Sequence, residues 1–138
     1  MKGKIKWIEN LKFEAETENG HKFFMDAPKS SHGDDTAATP MQYLLLATAG
    51  CTAFDVVAIL KKKKQKIEDV EVEVNAERAE THPKVFTKME IVYKIYGKNI
   101  SKKAVEQAIK LSKEKYCSAS IMIGKTAKIT TRYEILEK

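Results

Sequence analysis

The chain has 138 residues, 43% of them hydrophobic and 32% charged, and its 25 Lys and Arg against 19 Asp and Glu give a net charge of +6. That composition excludes a disordered chain and is enough to bury about two-thirds of the unfolded surface around one core. All but two of the basic residues are Lys, whereas bidentate recognition of bases and phosphates favours Arg; with no nucleic-acid-binding motif present, only the run "KKKK" at 61–64 points that way.

The N-terminal stretch "MKGKIKWIENLKFEAE" lacks the 7–15-residue apolar core of a signal peptide. A cytoplasmic protein is expected, whose cysteines are thiols at rest, any disulfide being transient and catalytic. The apolar run Tyr43–Leu60 has the length of a membrane span, but it contains Gly50, Thr48, Thr52 and Asp55. A carboxylate near the centre of a span costs about 2.5–3.5 kcal/mol, so a core helix and no membrane contact are expected.

Strands are expected over Lys4–Ile8, Leu11–Thr17 and His21–Asp26, the last two separated by the hairpin signal "ENG" at 18–20. Residues 27–40 have loop composition and end in "TP", where Thr39 can cap and Pro40 can open a helix that runs to the lysine cluster. Being apolar nearly all round, this helix is expected to be long, central and buried. The cleanest period-2 pattern follows, with Val70, Val72, Val74 and Ala76 on one face. After a turn at 79–84, Met89, Ile91, Tyr93 and Ile95 point inward from the second strand of an antiparallel hairpin. Ser101 caps a second helix with Val105, Ala108, Ile109 and Ser112 on one stripe, ending near Cys117. A last alternating strand carries Ala127, Ile129, Thr131 and Tyr133. The order β-β-β-α-β-β-α-β reads as an α+β fold in a single domain, 1–138, without repeats. Three leading strands and a wholly apolar helix offer more surface than one chain covers, so a homodimer is expected.

Two residues carry the candidate chemistry. Cys51 lies in "LATAGCTAF", walled by Ala47, Ala49, Gly50 and Ala53, with Asp55 one helical turn on. Cys117 lies in "EKYCSAS". Cys is among the most buried residue types, and each alone reads as a structural thiol. No CxxC spacing exists, and His21, His32 and His82 are too dispersed for a zinc site, so no metal and no cofactor are expected.

The stretches "ATPMQYLLLATAGCTAFDVVAIL" (38–60) and "EKYCSAS" (114–120) together resemble the OsmC/Ohr family of thiol-dependent peroxidases, and within it an OsmC-like subgroup. Pro40 and Cys51 keep the spacing of the family's first-cysteine helix, and Cys117 matches its second cysteine. The resemblance covers essentially the whole chain and implies an intertwined homodimer with sites at the subunit interface. In such a site Cys51 is the peroxide-attacking thiolate, which becomes a sulfenic acid. Cys117 resolves it as a disulfide, and a dithiol reductant restores both thiols. An apolar pocket from Met41, Leu45, Phe54, Tyr116 and Met122 suits a small organic hydroperoxide. Peroxidases of this family carry a Glu directly after the helix-starting Pro, paired with an Arg from the N-terminal strands. Here Met41 and Gln42 follow Pro40, and no Arg precedes Arg78. Asp55, Arg78 and Gln42 are the candidates for activating or orienting groups. The alternative to a peroxidase is a non-enzymatic redox-sensing or small-ligand-binding dimer of the same fold.

Overall fold

The computed structural model describes residues 1–137. The chain divides into two compact units, Met1–Leu44 and the remainder from Leu45. In the first, β1 (Gly3–Glu9), β2 (Lys12–Thr17) and β3 (Lys22–Met25) form an antiparallel meander in that order. Its second turn places Gly20 at φ 92°, a backbone conformation that costs a residue without a Cβ nothing.

Asp26, directly after β3, organises the loop that follows. It is 2% exposed, and its carboxylate accepts from the Ala27 amide (2.7 Å), the Thr36 amide (3.1 Å) and the Thr36 hydroxyl (2.6 Å). Gly33 closes the same loop: a Cβ there would fall 2.0 Å from the Ala27 carbonyl oxygen, so only glycine fits.

The unit boundary falls inside α1 (Pro40–Lys62). "TPMQ" starts it as a reciprocal capping box: the Thr39 hydroxyl accepts from the Gln42 amide (3.2 Å), and the Gln42 side-chain oxygen accepts from the Thr39 amide (2.9 Å). Lys61 and Lys62 close the other end, where cations suit the helix dipole.

In the second unit β5 (Phe86–Gly97) is central, antiparallel to β4 (Ile67–Arg78) and parallel to β6 (Lys128–Leu136). The expected inward set, Met89, Ile91, Tyr93 and Ile95, is fully buried, and Val92, which points to the opposite face of this central strand, is buried as well. Between β5 and β6 run α2 (Lys102–Leu111), one π-helical turn (Ser112–Tyr116) and a short α3 (Ser118–Ile123). The Ser101 hydroxyl accepts from the Ala104 amide and caps α2, which buries Ala104, Val105, Ala108 and Ile109. The observed α+β order matches the expected one, with the π turn and α3 added where a single helix ending near Cys117 was expected.

α1 buries Thr48, Ala49, Thr52, Val56 and Leu60, a stripe repeating every fourth residue. Its other faces leave Leu46 58% and Phe54 81% exposed in the single chain. The burial expected all round is therefore confined to one stripe, because a helix presents only one face to one sheet. Asp55 on this helix accepts a hydrogen bond from Ser112 (2.9 Å), so α1 is a core helix of the fold although it is long enough to cross a bilayer.

The three hydrogen bonds from Thr36 and Ala27 hold the Asp26 carboxyl down from 3.8 to about 2. A lowered folded-state pKa stabilises above the unfolded value and is lost as the pH falls through the folded one. Thermal melts of wild type and Asp26→Asn should therefore differ fully above pH 3.8 and converge as the pH approaches about 2.

Candidate active site

Both cysteines are free thiols; Cys51 is half-buried on α1 and Cys117 is fully buried at the start of α3. The π turn brings them together. Its extra residue lets the Cys117 amide close on the Ser112 carbonyl (2.8 Å) and turns the Cys117 side chain inward. The Cys117 sulfur then lies 4.0 Å from the Thr48 carbonyl oxygen and accepts from the Ser120 amide at 3.3 Å. Burial pushes the Cys117 thiol above its ordinary value; the Ser120 contacts pull it back, and the neighbouring Cys51 side chain raises it again.

A chain of buried hydroxyls runs beside the thiols. The Tyr93 phenol lies 2.7 Å from the Thr52 hydroxyl, and Thr52 lies 2.7 Å from the Ser112 hydroxyl. Ser112 in turn donates to the Asp55 carboxylate at 2.9 Å. Proton counting fixes its direction. Ser112 has one proton and gives it to Asp55, so it accepts from Thr52, which in turn accepts from Tyr93. Burial, above all, holds the Tyr93 phenol above its ordinary value; the Thr52 hydrogen bond pulls it down, while the Cys117 and Asp55 charges raise it again.

Of the residues expected to activate or orient, Asp55 alone joins this network. Gln42 is engaged in the α1 cap. The Arg78 Nε donates to the Lys84 carbonyl (2.9 Å) in the β4–β5 connection, and among the described residues it makes no ion pair with Asp55. Of the expected pocket residues, Tyr116 joins Asp55, Ala58, Ile59 and Lys62 around a cavity of about 340 Å³. Phe54 lines a separate groove with Ala53, Val57, Ala58, Lys61 and Val70. Met122 is exposed and Leu45 half-buried, while Met41 is half-buried within the first unit. Thr52, Ser112 and Tyr93 were not expected as site residues. The signal for them was a polar group recurring on faces whose other members are apolar.

The family model described as OsmC-like protein matches residues 33–132. The chain belongs to the OsmC-like family. It is 39% identical over 136 residues to Protein YhfA of Escherichia coli K12, covering 99% of this chain and 98% of that protein. A hypothetical protein from Aquifex aeolicus superposes with a TM-score of 0.87 at 31% identity, over 99% of this chain and 96% of that one. An organic hydroperoxide resistance protein OsmC from Legionella pneumophila shares the fold at 19% identity, with a TM-score of 0.70 over 99% and 95% of the two chains.

The two thiols differ in access, and alkylation rates should show it. In the native state iodoacetamide should label Cys51 well before Cys117, and labelling of Cys117 should rise only above the ordinary thiol range because burial has raised its pKa. Mass spectrometry of partially labelled protein checks the order; equal rates would show that Cys117 is not shielded.

Proposed function

We propose that this OsmC-like protein is a thiol-dependent peroxidase that reduces small organic hydroperoxides through Cys51 and Cys117. The observation that supports it most is the juxtaposition of a half-buried and a fully buried free thiol. In the first step the Cys51 thiolate attacks the peroxide. A S–O bond forms, the O–O bond breaks, and the alkoxide takes a proton to leave as alcohol. Cys117 then displaces the hydroxyl of the Cys51 sulfenic acid as water, and a dithiol reduces the disulfide. The chemistry is carried by sulfur, and the redox and peroxide-related character of the family agrees with it.

The same reading assigns the protein to the cytoplasm and to a homodimer. The exposed apolar face of α1, with Leu46 and Phe54, is the surface a second copy would cover, and Met41, Leu45, Phe54, Tyr116 and Met122 would supply apolar lining for an organic substrate in that assembly. A second reading, a redox-sensing or ligand-binding dimer, draws support from one departure. Met41 occupies the place of the family's Glu, and Arg78 is engaged away from Asp55.

Reduced wild type with excess dithiothreitol should consume cumene hydroperoxide faster than hydrogen peroxide. Cys51→Ser should fall to the uncatalysed background, and Cys117→Ser should stall after one turnover. Stoichiometric oxidation without turnover in the wild type would favour the sensor.

A further inference from the structure

The lysine run at 61–64 is half of a larger basic surface. Five lysines within 61–66 link α1 to β4, and three within 98–103 link β5 to α2; neither segment holds an acidic residue. Three contacts bring the segments together. The Gln65 side-chain oxygen accepts from the Ser101 amide (2.8 Å), and the Lys63 Nζ donates to the Gln107 side-chain oxygen (2.8 Å). Gly97 packs so closely on Lys66 that a Cβ would fall 2.5 Å from the Lys66 carbonyl oxygen. All eight lysines are exposed, and among the described residues none of them makes an ion pair. The rest of the chain holds 17 Lys and Arg against 19 Asp and Glu, so the whole positive excess sits in these two segments. Lys102 and Lys103 also stand in the first turn of α2, where the helix dipole disfavours cations and no acidic residue offsets them. Folding does not explain that placement; attraction of an anionic partner does.

The basic surface runs into the candidate active site. Lys62 shares the 340 Å³ cavity with Asp55 and Tyr116. Cys51, Asp55 and Lys62 are spaced by four and seven residues and lie on one side of α1, with Lys62 about 16 Å along the axis from Cys51. Tyr116 directly precedes Cys117, and the Lys115 Nζ stands 5.2 Å over its ring. Asp55, the one acid lining this cavity, is already engaged by Ser112.

We propose that this basic surface docks the acidic face of a protein dithiol, the reductant that restores Cys51 and Cys117. The inference rests on the reading that the two cysteines form a disulfide in turnover. Charge of one sign gathered beside a site speeds encounter with an oppositely charged partner by about 10–10³. All eight cations are Lys, hydrated point charges without the fork by which Arg grips phosphates, which suits transient docking of carboxylates better than nucleic acid. Cys51 is the sulfur open to attack, being half-buried where Cys117 is fully buried. A partner thiolate attacks it, a mixed disulfide forms, and the Cys117 sulfur leaves and takes up a proton. The partner's second thiolate then attacks its own sulfur in the mixed disulfide. Cys51 leaves and is protonated, and the partner departs as a disulfide, oxidised by two electrons.

The probe is a synthetic peptide with a Cys-x-x-Cys pair flanked by Glu runs; its counterpart has Gln for every Glu. At low salt the Glu peptide should reduce the oxidised full-length protein about tenfold faster than the Gln peptide, and high salt should remove the difference. Combining Lys64→Gln, Lys66→Gln, Lys102→Gln and Lys103→Gln should remove it too, while dithiothreitol reduces this variant and the wild type at equal rates. Equal rates with the two peptides on the wild type would overturn the proposal. A second arm needs no disulfide: a fluorescent Glu peptide with Ser for both Cys should bind the reduced wild type at low salt and bind the variant roughly tenfold more weakly. Equal binding to both, or tighter binding of a short single-stranded DNA or of phosphatidylserine vesicles than of the peptide, would overturn it as well. If oxidant forms no Cys51–Cys117 disulfide in the wild type, the peroxidase reading falls, and the binding arm still decides whether the surface takes an acidic partner.

Discussion

The contact between the Thr52 and Ser112 hydroxyls joins three elements at one point. Thr52 stands on the buried stripe of α1, Tyr93 reaches it from β5, and Ser112 opens the π turn that leads to Cys117. Each of these groups is buried, and a buried hydroxyl without a partner costs about 1–3 kcal/mol. None of the three can be satisfied alone. The helix, the central strand and the cysteine-bearing turn are therefore held in one mutual register by a condition that hydrophobic contact does not impose, since apolar side chains tolerate sliding and hydroxyls do not. Cys117 takes its position from that register, through the hydrogen bond its backbone N–H donates to the Ser112 carbonyl.

Much of the fold was legible because its signals are local and periodic. The alternation of Met89, Ile91, Tyr93 and Ile95, the "TP" opening of α1, the "ENG" turn and the Ser101 cap each depend on a few neighbouring residues, and each marks an element seen in the structure. The π turn was not legible. It differs from a continuing helix by one inserted residue, and nothing in "SKEKY" breaks helical propensity. The cysteine pair could be singled out by resemblance, and Asp55 by its spacing from Cys51. Arg78 could not be placed, because which partner a cation at a strand end finds depends on the turn beyond it; here the Lys84 carbonyl takes it. The hydroxyl chain was hidden for the same reason. Thr52, Tyr93 and Ser112 are far apart in sequence, and only the tertiary packing brings their oxygens within 2.7 Å.

α1 shows how composition can mislead about burial. Its residues are apolar nearly all round, yet one stripe meets the core of the single chain, and Phe54 and Leu46 stay in solvent. An apolar face of that kind is a cost to a monomer and is usually covered. The buried stripe, by contrast, carries two threonines, Thr48 and Thr52, among its members. Hydroxyls thus lie on the inward side of this helix, while the large apolar side chains of Leu46 and Phe54 lie on its outward side, unlike the polar outer face of an ordinary surface helix.

The direction of the hydroxyl chain follows from one charge. While Asp55 is ionised it can only accept, so Ser112, Thr52 and Tyr93 must all donate toward it. Once Asp55 is protonated it can donate to Ser112, and every hydroxyl in the chain can turn round. The phenol end of the chain stays a donor, because burial holds Tyr93 above its ordinary value. The carboxylate end is the half-buried Asp55, beside a cavity shared with Lys62 and Tyr116 and one helical turn from Cys51.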